Sequence, residues 1–340
     1  MAFDILLLLA ALFIILVAAE LFTNGIEWLG QRLSLSEGVV GSVLAAVGTA
    51  LPETLIPVVS ILFFGNRHGD EVGIGAIAGA PFMLSTLTMA LMGISVWLYS
   101  QKGRRSHEIG INKVVISRDM RFFIVAYSIA LLASLASDYQ FVRNIMAIAM
   151  VGIYLFYLYQ TLRHEGETGE QPEQLHLDRI FNSGSNRLIF IVPQVLLGVA
   201  GILAGAYLFV DKVEDLSQVL GVPAFILSLI IAPIATELPE KVNSFIWARS
   251  GKDTFAMGNI TGAMVFQSCF PVAFGMSFTK WALTPGAIIT GIVAISMTSF
   301  YLFLIQKSKL KAHHLMFGAF AYAVTVSLLI TFGLHPHAGH

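Results

Sequence analysis

The chain has 340 residues, of which 56% are hydrophobic and only 12% are charged, and its formal net charge is −1. Soluble domains carry about 25% charged residues, so this composition excludes an ordinary soluble domain and indicates an integral membrane protein in a lipid bilayer. The near-zero net charge argues against a nucleic-acid partner, and the single cysteine, Cys269, excludes an internal disulfide.

Ten apolar segments of membrane-spanning length follow one another along the chain. We predict them at 3–23, 37–64, 72–100, 120–137, 141–162, 187–210, 222–249, 254–279, 283–306 and 312–334. The first begins without a basic stretch before it, so we interpret it as a span rather than a cleaved signal. The polar and acidic stretch 164–186, between the fifth and sixth segments, is expected to form a solvated linker loop.

The two groups of five segments are related in sequence. At an offset of 187 residues, one set of residues recurs in the same order: Thr49, Leu51, Pro52 and Glu53 match Thr236, Leu238, Pro239 and Glu240. At an offset of 183, Gly75, Gly79 and Ser85 match Gly258, Gly262 and Ser268. Five spans are an odd number, so the second copy must enter the membrane from the opposite side. We therefore predict an all-α integral membrane protein of ten transmembrane helices, arranged as two inverted five-helix repeats at 1–163 and 187–340, with helices 2 and 7 broken.

Basic residues are distributed unevenly between the two sets of loops. If the N-terminus is outside, the outer loops carry only Arg67, Arg143, Lys212 and Lys280 of the 20 Lys and Arg residues. Apart from Lys241, all the others lie in loops that are then cytoplasmic. The positive-inside rule therefore favours both termini outside the cell membrane, with the linker loop in the cytoplasm. Inverted repeats with broken helices are typical of secondary transporters.

A short polar motif occurs once in each repeat, inside an apolar segment. The first copy reads Gly-Thr-Ala-Leu-Pro-Glu and ends at Glu53, and the second reads Ala-Thr-Glu-Leu-Pro-Glu and ends at Glu240. A carboxylate at bilayer depth costs roughly 2.5–3.5 kcal/mol, so such residues are usually functional. In each copy a threonine four residues earlier shares the helix face of the glutamate, and the proline frees a carbonyl oxygen.

Hard cations prefer carboxylate, hydroxyl and carbonyl oxygens as ligands. The doubled motif therefore predicts a paired cation site inside the membrane, with Glu53, Glu240, Thr49 and Thr236 as its ligands. The alternative is structural: each glutamate is neutral and bonds to the backbone at its proline break, and each threonine bonds back to its own helix.

Glycine pairs open the third and eighth segments, at Gly75 and Gly79 and at Gly258 and Gly262. Small residues at this spacing commonly allow close packing of membrane helices. A functional interpretation is that they bring further polar side chains close to the two glutamates, namely Ser85, Gln267 and Ser268. The sequence leaves both interpretations open.

These residues resemble the calcium/cation antiporter superfamily, specifically the prokaryotic sodium/calcium exchanger type. The resemblance covers nearly the whole chain and is carried by GTALPE at 48–53, LPE at 238–240 and GNITGAMVF at 258–266, with the family's two alpha repeats at 36–93 and 222–278. It implies that Glu53 and Glu240 bind calcium with help from Thr49 and Thr236. It also implies that the first and sixth segments slide across a core to switch access.

The chain departs from the family pattern where the family has polar side chains. The serine that usually precedes Leu-Pro-Glu is replaced by Ala50 and Glu237. The third segment reads Gly-Ala-Pro-Phe-Met-Leu at 79–84, without the polar side chains of the family motif, and the eighth retains only Gln267. Apart from Glu237, these changes remove side-chain oxygens, so the identity of the transported ions stays open.

Glu237 and Lys241 are four residues apart, in the order that favours a helical ion pair. The first repeat has Ala50 and Thr54 at these positions. One hypothesis is that the Lys241 ammonium modulates the site as a built-in monovalent cation beside Glu237. The alternative is that Lys241 extends towards the polar interface near Arg249, as long basic side chains do in membranes.

The sequence predicts a secondary active antiporter that exchanges calcium, or another divalent cation, for sodium or protons by alternating access. Its ligands are then transported cations, with no resident cofactor. One alternative is a divergent member that moves a different cation or protons only. An intramembrane enzyme with paired carboxylates is a third interpretation, but no catalytic motif surrounds the two glutamates, so we expect no enzyme.

Overall fold

The computed structural model describes residues 2–33, 45–65, 69–106, 108–164, 175–176 and 188–333. Over these residues the chain forms helices and connecting turns, without a strand. The helices are α1 Ala2–Arg32, α2 Ala45–Phe64, α3 Gly69–Met83, α4 Met89–Gln101, α5 Lys113–Ala133, α6 Gln140–His164, α7 Leu188–Leu220, α8 Ala224–Thr236, α9 Leu238–Arg249, α10 Asp253–Phe278, α11 Pro285–Gln306 and α12 Ala312–Gly333. Each predicted apolar segment contains at least one of them.

Eight helical stretches in this part of the chain are long and apolar enough to cross a membrane. Two shorter apolar helices, Ala50–Phe64 and Ala224–Ile234, lie in the two segments that carry the repeated motif. Large apolar side chains stay exposed along the outer helices, with Phe13 at 69% and Ile148 at 73%. Because lipid rather than water covers such surfaces, the protein is an all-helical, multi-pass integral membrane protein.

Helices α1 and α7 are the longest and pack against each other through small residues. They have 31 and 33 residues, about 46 and 50 Å, which exceeds the bilayer core of about 30 Å. A Cβ atom at Gly198 would lie 2.7 Å from Phe22 Cβ, and one at Gly205 would lie 2.7 Å from Ile15 Cγ1. The pair extends beyond the predicted segments because charged residues continue both helices past the apolar run.

Helices α3 and α8 cross with their backbones almost in contact. A Cβ atom at Gly79 would lie 2.3 Å from the Leu229 carbonyl oxygen, and one at Gly75 would lie 2.5 Å from that of Phe225. Ser228 Oγ donates to the Val72 carbonyl oxygen across the same crossing, at 2.7 Å. The packing interpretation of the first glycine pair is therefore confirmed.

The second glycine pair has a different environment. A Cβ atom at Gly262 would lie 3.6 Å from Tyr157 Oη, and one at Gly258 would lie 3.9 Å from Ile116 Cδ1. Both are ordinary van der Waals distances. Among the described residues, the neighbours of Gly75 and Gly79 leave no room for a side chain, whereas those of Gly258 and Gly262 do.

The predicted break of helix 2 at the first motif is wrong for the part that the structure describes. Helix α2 continues from Ala45 to Phe64 through Pro52 and Pro57. A proline removes only one helical donor, and membrane helices tolerate this when neighbouring groups satisfy the backbone. The Thr54 hydroxyl adds a further hydrogen bond in this turn, to the Ala50 carbonyl oxygen at 2.9 Å.

The predicted break of helix 7 is present at the second motif. Helix α8 ends at Thr236 and α9 begins at Leu238, with Glu237 between them at φ −93° and ψ 14°. Pro239 therefore lies in the first turn of a new helix, where its missing N–H would have no partner in any case.

Two parts of the chain, one at Arg143 and one in the linker, differ from the expected loop assignments. Arg143 lies in the first turn of α6 rather than in a loop, is buried, and donates to the carbonyl oxygens of Met276 and Ser137. In the linker, Leu175 is fully buried, and the His176 backbone N–H donates to Asn24 Oδ1 at 3.2 Å. The linker therefore contacts α1 at His176 and is buried at Leu175, instead of being solvated throughout.

Candidate cation site in the membrane

Glu53 lies in a small cleft between α2, α3 and α8. Its side chain is only 6% exposed, although it carries a carboxyl group. The lining residues are Glu53, Ile56, Ala76, Ala80, Ala232, Pro233 and Thr236. The cleft therefore brings Glu53 of the first motif together with Thr236 of the second motif, which lies 183 residues further along the chain.

Thr236 is buried, and its hydroxyl donates to the Ala232 carbonyl oxygen at 3.1 Å. This back-bond is the structural role expected of a threonine in a membrane helix. The hydroxyl oxygen still has lone pairs that could face a cation in the cleft. The side chains of Thr49 and Glu240, the other two predicted ligands, lie outside the described residues.

Glu237 and Lys241 form a buried pair at the helix break. The Lys241 Nζ atom lies 3.9 Å from Glu237 Oε2, and the two side chains are 10% and 0% exposed. Lys241 Nζ also donates to the Pro233 carbonyl oxygen at 2.7 Å. Lys241 thus extends back to a residue eight positions earlier, away from Arg249, and the interpretation that it reaches towards that interface is wrong.

The remaining predicted site residues are buried on α10 and in the turn after α3. Ser85 and Ser268 donate to their own helices, to the Phe82 carbonyl oxygen at 3.1 Å and that of Val265 at 2.9 Å. Gln267 is 2% exposed, and its Oε1 atom accepts no hydrogen bond from the described part of the chain. Ser85, Gln267 and Ser268 are not among the residues that line the cleft at Glu53.

The cleft is poor in side-chain oxygens. Five of its seven lining residues are alanine, isoleucine or proline, and only Glu53 and Thr236 carry a side-chain oxygen. Ala80, one of the positions at which the chain departs from the family pattern, is part of this lining. Among the described residues there is also no group of three or more His, Cys, Asp and Glu side chains that could hold a metal ion.

The third span contains a distortion that was not predicted from the sequence. Residues Leu84–Thr88 form a π-helical turn between α3 and α4, and the hydroxyls of Ser85 and Thr86 both donate to the Phe82 carbonyl oxygen. Such turns often occur at functional sites. Pro81, three residues earlier, was the signal, since it removes one donor from this stretch of helix.

The buried carboxylate of Asp119 was not predicted from the sequence either. It is 2% exposed and lies on α5, where Thr261 Oγ1 donates to it at 2.9 Å and Arg118 pairs with it at 3.2 Å. The helix begins at Lys113, seven residues before the predicted segment, so Asp119 lies inside it. The adjacent Arg-Asp pair before an apolar run was the available signal.

Tyr322 on α12 was not predicted either, and the sequence gives no signal for it. It lies within electrostatic range of Glu237, and its ring stacks on Phe82 with centroids 5.1 Å apart. Its hydroxyl is buried and makes no hydrogen bond within the described residues. Tyr322 therefore adds a buried polar group within electrostatic range of the Glu237 carboxylate.

A buried carboxylate between helices and a second one at a helix break, within a largely apolar helical body, define a membrane protein with ionisable groups at the depth of its helices. The chain matches the sodium/calcium exchanger protein family over residues 3–163 and 190–334, and it belongs to that family of membrane transporters.

Three individual similarities agree with this assignment. The sodium/calcium exchanger MaX1 of Methanosarcina acetivorans is 23% identical over 294 residues, which cover 77% of this chain and 79% of MaX1. The crystal structure of the H+/Ca2+ exchanger CAX aligns with a TM-score of 0.73 at 16% identity, covering 97% of this chain and 86% of CAX. The sodium-calcium exchanger NCX_Mj aligns with a TM-score of 0.57 at 18% identity, covering 96% of this chain and 98% of NCX_Mj. All three are named as exchangers, that is, as transporters rather than enzymes.

Proposed function

We propose that the protein exchanges calcium, or another divalent cation, for sodium or protons across the cell membrane by alternating access. Family membership supports cation exchange as the general activity. The observation that carries the assignment to a site is the buried Glu53 carboxylate, in a cleft that it shares with Thr236 of the second motif. A negative charge in a low-dielectric environment attracts a cation strongly.

Glu53, Glu240, Thr49 and Thr236 are the proposed ligands, and Glu237, Gln267, Ser268 and Ser85 are proposed as further contributors. Two glutamates would neutralise a divalent ion, and hydroxyl and carbonyl oxygens would complete its coordination. Transported cations are the only ligands in this proposal, which includes no resident cofactor.

The proposed architecture has ten transmembrane helices in two inverted repeats, at 1–163 and 187–340. In this arrangement α3 with α4, and α8 with α9, each form one span. Both termini lie outside, and the linker 164–186 lies in the cytoplasm, as the loop charges favour. The long pair α1 and α7, which packs through small residues, is the proposed moving element, and its counterpart is the core that carries the two motifs.

One observation favours a second candidate, a divergent member that moves a different cation or protons only. The cleft at Glu53 has two side-chain oxygens among its described lining residues, which is few for calcium, since calcium takes six to eight oxygen ligands. A smaller ligand set would suit a proton or a small monovalent cation.

Flux measurements with purified protein in lipid vesicles test both candidates. Uptake of calcium, magnesium and manganese is measured with an outward sodium gradient, an outward proton gradient, or neither. The proposal expects divalent uptake that requires one of the two gradients. Gradient-driven movement of sodium or protons alone, without divalent uptake, would favour the second candidate.

A further inference from the structure

The Lys241 ammonium occupies a position that a free monovalent cation could fill. It donates to the Pro233 carbonyl oxygen at 2.7 Å and lies 3.9 Å from the Glu237 carboxylate. Pro233 also accepts the Glu237 backbone N–H, at 3.3 Å. One carbonyl oxygen and one carboxylate thus face the same positive charge, and both are oxygen ligands of the kind that hard cations take.

The first repeat has no charge at the corresponding positions. There Thr54 replaces Lys241 and Ala50 replaces Glu237, and the Thr54 hydroxyl donates to the Ala50 carbonyl oxygen at 2.9 Å. Thr54 therefore reaches one turn back along its helix, whereas Lys241 reaches two turns back, past Glu237. The charged pair Glu237 and Lys241 is therefore present in the second repeat and has no charged counterpart in the first.

Burial makes the two charges depend on each other. Glu237 is 0% exposed and Lys241 is 10% exposed, so neither charge is well solvated. Removal of one partner from a buried pair leaves an uncompensated charge, which is strongly destabilising. A Glu237 carboxylate that loses this ammonium would take up a proton or another cation, beside the other contacts that it keeps.

We propose that the Lys241 ammonium is a tethered monovalent cation, held between the Pro233 carbonyl oxygen and the Glu237 carboxylate in place of a free alkali ion. It lowers by one the number of free monovalent ions that bind in this half of the protein. The consequence for transport rests on the proposed exchange function, whereas the consequence for cation binding can be tested without it.

The first test measures thermal stability of the purified protein in detergent, in sodium chloride and in choline chloride at equal ionic strength. Lys241→Gln removes the charge but keeps an N–H donor, and Lys241→Thr introduces the residue of the first repeat. Both variants are expected to be stabilised by sodium in a saturable manner and to a greater extent than the wild type, whose own response reports only the coupling sodium of the exchange cycle. A sodium stabilisation of both variants no larger than that of the wild type would overturn the proposal.

Two controls make the comparison specific. Lys252→Gln removes an exposed lysine three residues after the end of the same helix and is expected to behave like the wild type. The double variant Glu237→Ala with Lys241→Thr introduces the neutral pair of the first repeat, and it is expected to gain no more stability from sodium than the wild type does. A larger sodium stabilisation of the double variant than of the wild type would place the site elsewhere and would contradict the proposal.

Failure of the single variants to fold is also informative. A variant that fails to fold in choline chloride is expected to fold in sodium chloride. If neither variant folds in either salt, while the double variant folds in both, sodium cannot replace the ammonium and the proposal is overturned.

Flux in vesicles separates this proposal from the proposed function. Added sodium at a fixed pH is expected to change divalent uptake by Lys241→Gln by about tenfold or more beyond its effect on the wild type. If the wild type shows no divalent exchange, the proposed exchange function is refuted, but the stability test still shows whether the Lys241 ammonium replaces a free monovalent cation. If the wild type exchanges and the variant shows no new sodium dependence, only the tethered cation is refuted.

Discussion

Arg105 and Asp253 form a two-pronged ion pair, with nitrogen–oxygen distances of 2.7 and 2.8 Å, although 148 residues separate them in the chain. Their side chains are 4% and 2% exposed. Asp253 also accepts the Gly110 backbone N–H at 2.8 Å, and Arg105 donates to the Glu108 carbonyl oxygen at 2.9 Å. This network joins the loop between α4 and α5 to the first turn of α10.

We expect Arg105→Ala or Asp253→Ala to lower the free energy of unfolding by about 3–5 kcal/mol, because either change leaves one buried charge without its partner. The double variant should lose less than the sum of the single losses. Denaturant unfolding in detergent measures all three. Arg104→Ala, at the neighbouring exposed position, is the control, and equally small losses for Arg104 and Arg105 would contradict the prediction.

Glu53→Gln should abolish divalent binding and exchange while leaving the protein folded. The substitution keeps the size of the side chain but removes the negative charge of the cleft, so a doubly charged ion loses much of its compensation in a low-dielectric site. Isothermal calorimetry and vesicle flux measure the two effects. Glu108→Gln, an exposed carboxylate in a loop, serves as control, and wild-type uptake by folded Glu53→Gln would refute this site.

Gly79 and Gly262 are equivalent positions in the two repeats, and alanine should have opposite effects at them. At Gly79 the new Cβ atom would lie 2.3 Å from the Leu229 carbonyl oxygen, so α3 and α8 must separate, at a cost of about 1–3 kcal/mol. At Gly262 the nearest described atom is 3.6 Å away, and alanine should be neutral or stabilise the helix by up to about 1 kcal/mol. Thermal unfolding of both variants decides between this expectation and equal losses at the two positions.

The apolar lining at Ala80 predicts a small number of coupling ions. A Hill coefficient cannot exceed the number of interacting sites, and we expect a value of about two or lower for the sodium dependence of calcium flux. Vesicle uptake at graded sodium concentrations and fixed pH measures it. A coefficient near three without any proton coupling would show that oxygens other than those of the cleft complete the sites.

Much of the fold could be predicted because helix position in a membrane depends on local composition. Each run of apolar residues long enough to span the bilayer contains a helix, and the structure displaces most of its ends by only a few residues. The exceptions have a physical cause. Helices α1 and α7 extend by nine and ten residues past the predicted ends at 23 and 210, because charged residues that end an apolar run do not end a helix.

The candidate site could be predicted only in part. Glu53 and Thr236 stand out in the sequence, since polar groups in apolar segments are costly, and both are buried at one cleft. Asp119 and Tyr322 did not stand out, because one precedes its apolar run and the other lies in a segment without a motif. Their relevance depends on the side chains opposite them, Thr261 and Glu237, which are distant in sequence.

The sequence by itself determined the membrane class, the helices, the doubled motif and the family, all of which depend on residue type and spacing along the chain. Only the tertiary structure decided which glycine pair packs against a neighbouring backbone, which motif breaks its helix, and where the Lys241 side chain points. Identical helical spacing is compatible with either direction of a long side chain. The choice follows from the neighbours: the Pro233 carbonyl oxygen and the Glu237 carboxylate offer a buried ammonium the charge and the hydrogen bond that it would otherwise lose on leaving water.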